Sequence, residues 1–144
     1  MLQEFLLNKG YTKAKLHLTK TNHFEIIAKI NGVKGRFILD TGASNSCVDF
    51  DTATQFKLNV EESDIKAAGA GATDMKTQTS EKNKLSIGAW KKDKVVLVLF
   101  SLTHVNSALT AHNSTPVDGI IGADILKKGK AIIDYEKKYL YLKL

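Results

Sequence analysis

Asp40, Thr41 and Gly42 stand directly after three apolar residues, Phe37-Ile38-Leu39. Their types suit proton chemistry. Asp40 is an acid or a base. The Thr41 hydroxyl both donates and accepts a hydrogen bond, and Gly42 lets backbone approach closely and offers an N–H to a carboxylate. A lone carboxylate at the end of an apolar strand is costly to bury and is a poor catalyst by itself. Two facing carboxylates share a proton, so that one acts as base and the other as acid. Such a pair activates a water molecule and protonates a leaving amine. The competing reading of the tripeptide alone is a plain turn, since Asp and Gly are both turn residues.

About eighty residues later come Ile120-Ile121-Gly122 and then Ala-Asp-Ile-Leu, two apolar residues and a glycine leading into a short helix. Between the two motifs lies a small, glycine-rich segment, residues 66–76, which contains Gly69-Ala70-Gly71. Ile38-Leu39-Asp40-Thr41-Gly42-Ala43, the glycine-rich middle and Ile120-Ile121-Gly122, in that order, resemble the aspartic proteases. The branch they resemble is retropepsin-like: the retroviral proteases and their small cellular and bacterial relatives. The resemblance covers residues 16–144, with residues 1–15 as an N-terminal extension.

The resemblance implies an all-β fold, a closed barrel with one short helix in the C-terminal half. It implies that Asp40 is the catalytic carboxylate, that Thr41 braces the site across a dimer axis and that Gly42 holds the carboxylate through its N–H. Ile120, Ile121 and Gly122 support the loop from behind and line the cleft. Gly69, Ala70 and Gly71 form the flap tip that bonds substrate backbone; their simpler reading is a flexible surface loop. Pepsin-like enzymes carry two Asp-Thr-Gly motifs in one chain, whereas this chain carries one. Asp74, Asp118 and Asp134 do not repeat it. The second carboxylate then has to come from a second copy, in a two-fold homodimer. The implied activity is an aspartic endopeptidase acting on peptide or unstructured protein, with no metal or cofactor. Ala43 replaces the serine of pepsin-like motifs, which implies activity at weakly rather than strongly acidic pH. The alternative from another class is a retropepsin-like module that dimerises and binds peptide with little or no cleavage.

Strands dominate the elements that must position these residues. In Phe24–Ile30 the apolar residues Phe24, Ile26, Ala28 and Ile30 alternate on one face. Asn31-Gly32 follows as a tight hairpin signal, and Val33–Leu39 returns as a second strand. Residues 49–58 have helical spacing of Phe50, Ala53 and Phe56. Residues 84–90 and 94–100 read as strands joined by Lys91-Lys92-Asp93, the second apolar enough to be covered on both faces. Residues 101–116 are polar and irregular, with at most a helical turn. Asp124 starts a short helix that Gly129 ends, and residues 131–144 form a closing hairpin.

The bulk numbers fit one domain of 144 residues with a core of its own. The formal charge is +6, but no run of five basic residues occurs, which argues against a nucleic-acid partner. Cys47 is the sole cysteine, so no intrachain disulfide forms. No segment approaches the ~18 apolar residues of a membrane span, and the expectation is a cytoplasmic, soluble protein. Gly69-Ala70-Gly71 lacks the Lys-Ser/Thr of a phosphate loop, His17, His23, His104 and His112 lack metal-ligand spacing, and Ser44 and Ser46 lack a nucleophile elbow. Asp118 and Asp124 read as turn and helix-start residues, Trp90 as a packing residue, and Cys47 as a small buried one or a thiol near the dimer axis.

Overall fold

The computed structural model describes residues 1–62 and 76–144. A short helix α1 (Leu2–Asn8) leads through Gly10 into strand β1 (Tyr11–Lys15) and the two-residue strand β2 (His17–Leu18). Strands β3 (Phe24–Ile30) and β4 (Val33–Leu39) then form the hairpin expected around Asn31-Gly32. Ile30 pairs with Val33, and Asn31 and Gly32 take φ of 51° and 83°, the left-handed pair that a two-residue turn needs. The Asn31 side chain also ties this turn to the neighbouring strand. It accepts from the Lys84 N–H at 2.9 Å and donates to Asn83 Oδ1 at 3.0 Å.

The remaining strands are β5 (Cys47–Asp49), β6 (Glu61–Glu62), β7 (Gln78–Ile87), β8 (Trp90–Phe100), β9 (Gly119–Ile121), β10 (Ile132–Asp134) and β11 (Tyr139–Lys143). β3, β4, β9, β5, β8 and β7 pair in that order, and β7 returns to β3 through Lys29–Ser86 and Ile30–Leu85. The ring therefore closes into a six-stranded barrel, which leaves few unpaired edges. β4–β9 and β5–β8 run parallel and the other pairs antiparallel. A separate three-stranded sheet, β1–β11–β10, joins the two ends of the chain.

The barrel is filled by alternate residues of its strands. Ile26, Ile30, Phe37, Val48, Leu85, Val95, Leu97 and Leu99 are at most 1% exposed. Burying each such side chain contributes roughly 1.5–3 kcal/mol. A second cluster, on the outer face, packs Ile38, Val98, Phe100 and Ile120 under helix α2 (Thr103–Ala111) through Leu109. β4 is therefore apolar on both faces, with Phe37 and Leu39 inward and Ile38 outward.

The architecture is mostly β with few helices, as the sequence implies, and the short helix after Gly122 is α3 (Ala123–Lys128). Details differ from the local readings. Residues 103–111, read as irregular, form two turns of helix. Residues 49–58, read as a helix, form only a 3-10 turn at Phe50–Thr52, and Lys57 at φ 57° turns the chain away. The β7–β8 turn is Gly88-Ala89, not the lysine-rich stretch. Gly88 takes φ +57°, and Trp90 pairs opposite Ile87 and is 1% exposed. Burying that indole outweighs the turn preference of the polar lysines, which lie exposed along the strand.

Candidate active site

β4 runs parallel to β9 with Leu39 opposite Ile121, and the next residue is Asp40. The Asp40 N–H donates to the Ile121 carbonyl at 2.9 Å, so the strand pairing carries the backbone one step past the core. There the chain turns. The Ala43 N–H donates to the Asp40 carbonyl at 3.2 Å, and the Gly42 N–H donates to Asp40 Oδ1 at 2.9 Å. Asp40 is half-buried while Thr41 and Gly42 are exposed. The carboxylate thus sits at a barrel end, held by an amide, with a face toward solvent that avoids the cost of full burial.

The turn is braced from behind by the second motif. The Ala123 N–H donates to the Ala43 carbonyl at 2.7 Å. Ser46, fully buried, donates its hydroxyl to Asp124 Oδ1 at 2.7 Å and accepts from the Gly122 N–H at 2.8 Å. The Ser46 N–H donates to the same Asp124 oxygen at 2.9 Å. A Cβ on Gly122 would lie 2.6 Å from the Ala43 carbonyl oxygen, and one on Gly119 would lie 2.2 Å from that of Cys47. Only glycine permits this approach of backbone to backbone. Asp118 accepts from the Arg36 N–H at 3.0 Å, fixing the entry to β9.

Asp40 lies between two depressions. One, of about 250 Å³, is bounded by the turn before β3 (Thr21, His23), by Ile38 and Ile120, and by α2. The other, of about 380 Å³, runs past Phe24, Leu39, Thr41, Ile133, Tyr135 and Lys138. A shallower groove beside Thr41 continues between α3 and Ile133. Among the described residues lining the two depressions, Asp40 is the sole acid.

The residues singled out in the sequence therefore take distinct places. Asp40, Thr41 and Gly42 share one turn, and Ile120 borders the depression beside Asp40. Ile121 points the other way, into the barrel core at 1% exposure, and meets the site only through its carbonyl. Gly122 packs behind the turn. Gly69, Ala70 and Gly71 lie outside the described residues. Ser46 and Asp124 join the brace although the sequence marked neither for that role. Cys47 is buried on β5, and burial pushes its thiol up to about 12. A hydrogen bond with the Ile120 backbone opposes that shift, and the charges of Asp124, Asp40 and Asp49 add to it. The thiol stays protonated at ordinary pH and behaves as a small core residue.

The profile of the aspartyl protease family matches residues 26–125, from β3 through the brace to the start of α3. The chain belongs to the aspartyl protease family. Its fold is that of the retropepsin-like members. The retropepsin-like aspartic protease from Rickettsia conorii superposes with a TM-score of 0.60 at 20% identity, over 92% of this chain and 91% of that one. The EIAV protease, solved with the inhibitor HBY-793, gives 0.56 at 19% identity, over 76% and 90%. The retroviral protease-like domain of Ddi1 from Leishmania major gives 0.55 at 18%, over 82% and 86%. No curated protein matches the sequence.

Proposed function

We propose that this aspartyl protease family member is an endopeptidase that works as a two-fold homodimer, with Asp40 of each copy supplying one carboxylate. One observation carries the reading: a half-buried carboxylate is aimed out of a rigid turn, between two depressions that hold no second acid of the same chain among the described residues. Proton-sharing chemistry needs a partner acid. Thr41 is exposed beside Asp40, on the groove that runs to α3, which suits a turn that meets its own copy.

In the paired site one Asp40 carboxylate takes a proton from a water molecule as the water oxygen bonds to the peptide carbonyl carbon. The other gives its proton to the carbonyl oxygen. Collapse of the tetrahedral adduct breaks the C–N bond as a proton passes to the leaving amine. Gly42 keeps one carboxylate oxygen fixed throughout, and the depressions on either side receive the side chains of an extended peptide.

The test is Asp40→Asn. Cleavage of an unstructured protein should fall by about 10²–10⁴-fold or more, because both acid and base are lost. Sedimentation should show a dimer for wild type and variant alike. A wild-type protein that cleaves nothing between about pH 4 and pH 8 would instead favour a peptide-binding module. A well-folded monomer at micromolar concentration would sink the shared site.

A further inference from the structure

The depression between α2 and Asp40 has a composition that nothing in the bond-breaking step requires. Its walls are apolar: Ile38 and Ile120 from the barrel, and Val105, Ala108 and Leu109 from the helix. At its margins stand two imidazoles from unrelated parts of the chain. His23 comes from the turn before β3, and His104 from the first turn of α2. We propose that this depression is a specificity pocket for the substrate residue next to the scissile bond, taking a long side chain with an apolar stem and an acidic end, glutamate above all, read by His23 and His104. The inference rests on the peptidase reading and adds to it a substrate class.

The physical case has three parts. First, about 250 Å³ bounded by aliphatic side chains favours a stem of methylene groups over a short polar residue. Second, histidine is the side chain that gains a positive charge just below neutral pH, and two in one depression repel unless an anion lies between them. His104 has the further handicap of standing at the positive end of its helix, where a bound anion is favoured and a cation is not. Third, the imidazoles have capacity to spare. His23 Nδ1 is 2.9 Å from Thr21 Oγ1, which leaves Nε2 without an assigned partner among the described residues. Among the described residues Asp40 is the one acid lining the pocket, and its charge belongs to the reacting centre. On the strands beside it, Glu25 and Arg36 pair with each other, Asp118 accepts from the Arg36 N–H, and none of the three lines the pocket. His112 lies beyond the far end of α2.

The experiment compares three peptides that differ only in the residue before the scissile bond: Glu, Gln or Leu. kcat/KM is measured for wild type, His104→Leu and His104→Gln, and Kd for the same peptides on Asp40→Asn. In wild type the Glu-to-Leu ratio should be about five- to tenfold at pH ~5.5 and smaller at pH ~7.5. The Kd ratio on Asp40→Asn reads the same preference with the Asp40 charge removed. His104→Leu should lower the ratio at pH ~5.5 by at least half. His104→Gln keeps a donor without a charge, so it should retain a smaller preference than wild type, with His23 still in place. A Glu-to-Leu ratio indifferent to both pH and His104→Leu would overturn the inference, even with cleavage intact. A glutamate preference in binding to Asp40→Asn, beside a wild type that cuts nothing, would keep the pocket and refute the peptidase.

Discussion

The turn from Asp40 to Ser46 and the helix α2 border the same depression, yet they are held by different means. The turn is fixed through backbone. Its backbone is bonded to Ile121 and Ala123, and the buried Ser46 hydroxyl links the Gly122 N–H to Asp124. Helix α2 rests on the barrel through side chains. Leu109 is its one buried residue, and Asn106 anchors it by accepting from the Val117 N–H at 2.8 Å and donating to the Val117 carbonyl at 3.2 Å. A group that must transfer protons needs its position fixed to within a fraction of an ångström. A wall that selects side chains needs shape and charge, and side chains supply both. The first arrangement tolerates few substitutions and the second tolerates many.

That contrast is open to test, most severely at Gly122. Gly122→Ala pushes a methyl group into the Ala43 carbonyl, backbone against backbone, and should destabilise the fold by about 3 kcal/mol and remove activity. Thermal unfolding and cleavage rate read both. Ser46→Ala is next. It leaves the Gly122 N–H without its acceptor and takes one of the two Ser46 bonds from Asp124 Oδ1, at a cost of roughly 1–3 kcal/mol. kcat should fall more than KM rises, because the turn loosens while the pocket walls remain. The smallest effect is expected at the wall. Asn106→Ala should cost about 1 kcal/mol in chemical denaturation and shift peptide preference before it slows the turnover of a good substrate. An Asn106→Ala protein as crippled as Ser46→Ala would erase the distinction between the two regions.

How much of this could be read beforehand follows from how local each signal is. The barrel's alternation and the Asn31-Gly32 turn are written in consecutive residues, and the two motifs carry rare combinations of types. The brace was not legible because Ser46 and Asp124 stand 78 positions apart and are common residues with common local roles. Asp124 does begin a helix as expected, yet one oxygen of its carboxylate takes both Ser46 bonds. Ile121 read as a cleft residue beside Ile120, but neighbours on a strand face opposite ways, so the core claims it. Helix α2 was hidden because a single buried leucine leaves little amphipathic pattern. Strand β1 was hidden because Tyr11–Lys15 is polar and half-buried, and only its pairing with β11 makes it a strand.

That last pairing reaches beyond the site. Tyr11 lies opposite Lys143, and the Leu144 N–H donates to the Gly10 carbonyl at 2.9 Å, so the two ends of the barrel's path meet side by side. A short linker would join β11 to β1 across that edge, and the exposed Gly88-Ala89 bend offers a place to cut. The same barrel should then assemble from a circularly permuted gene.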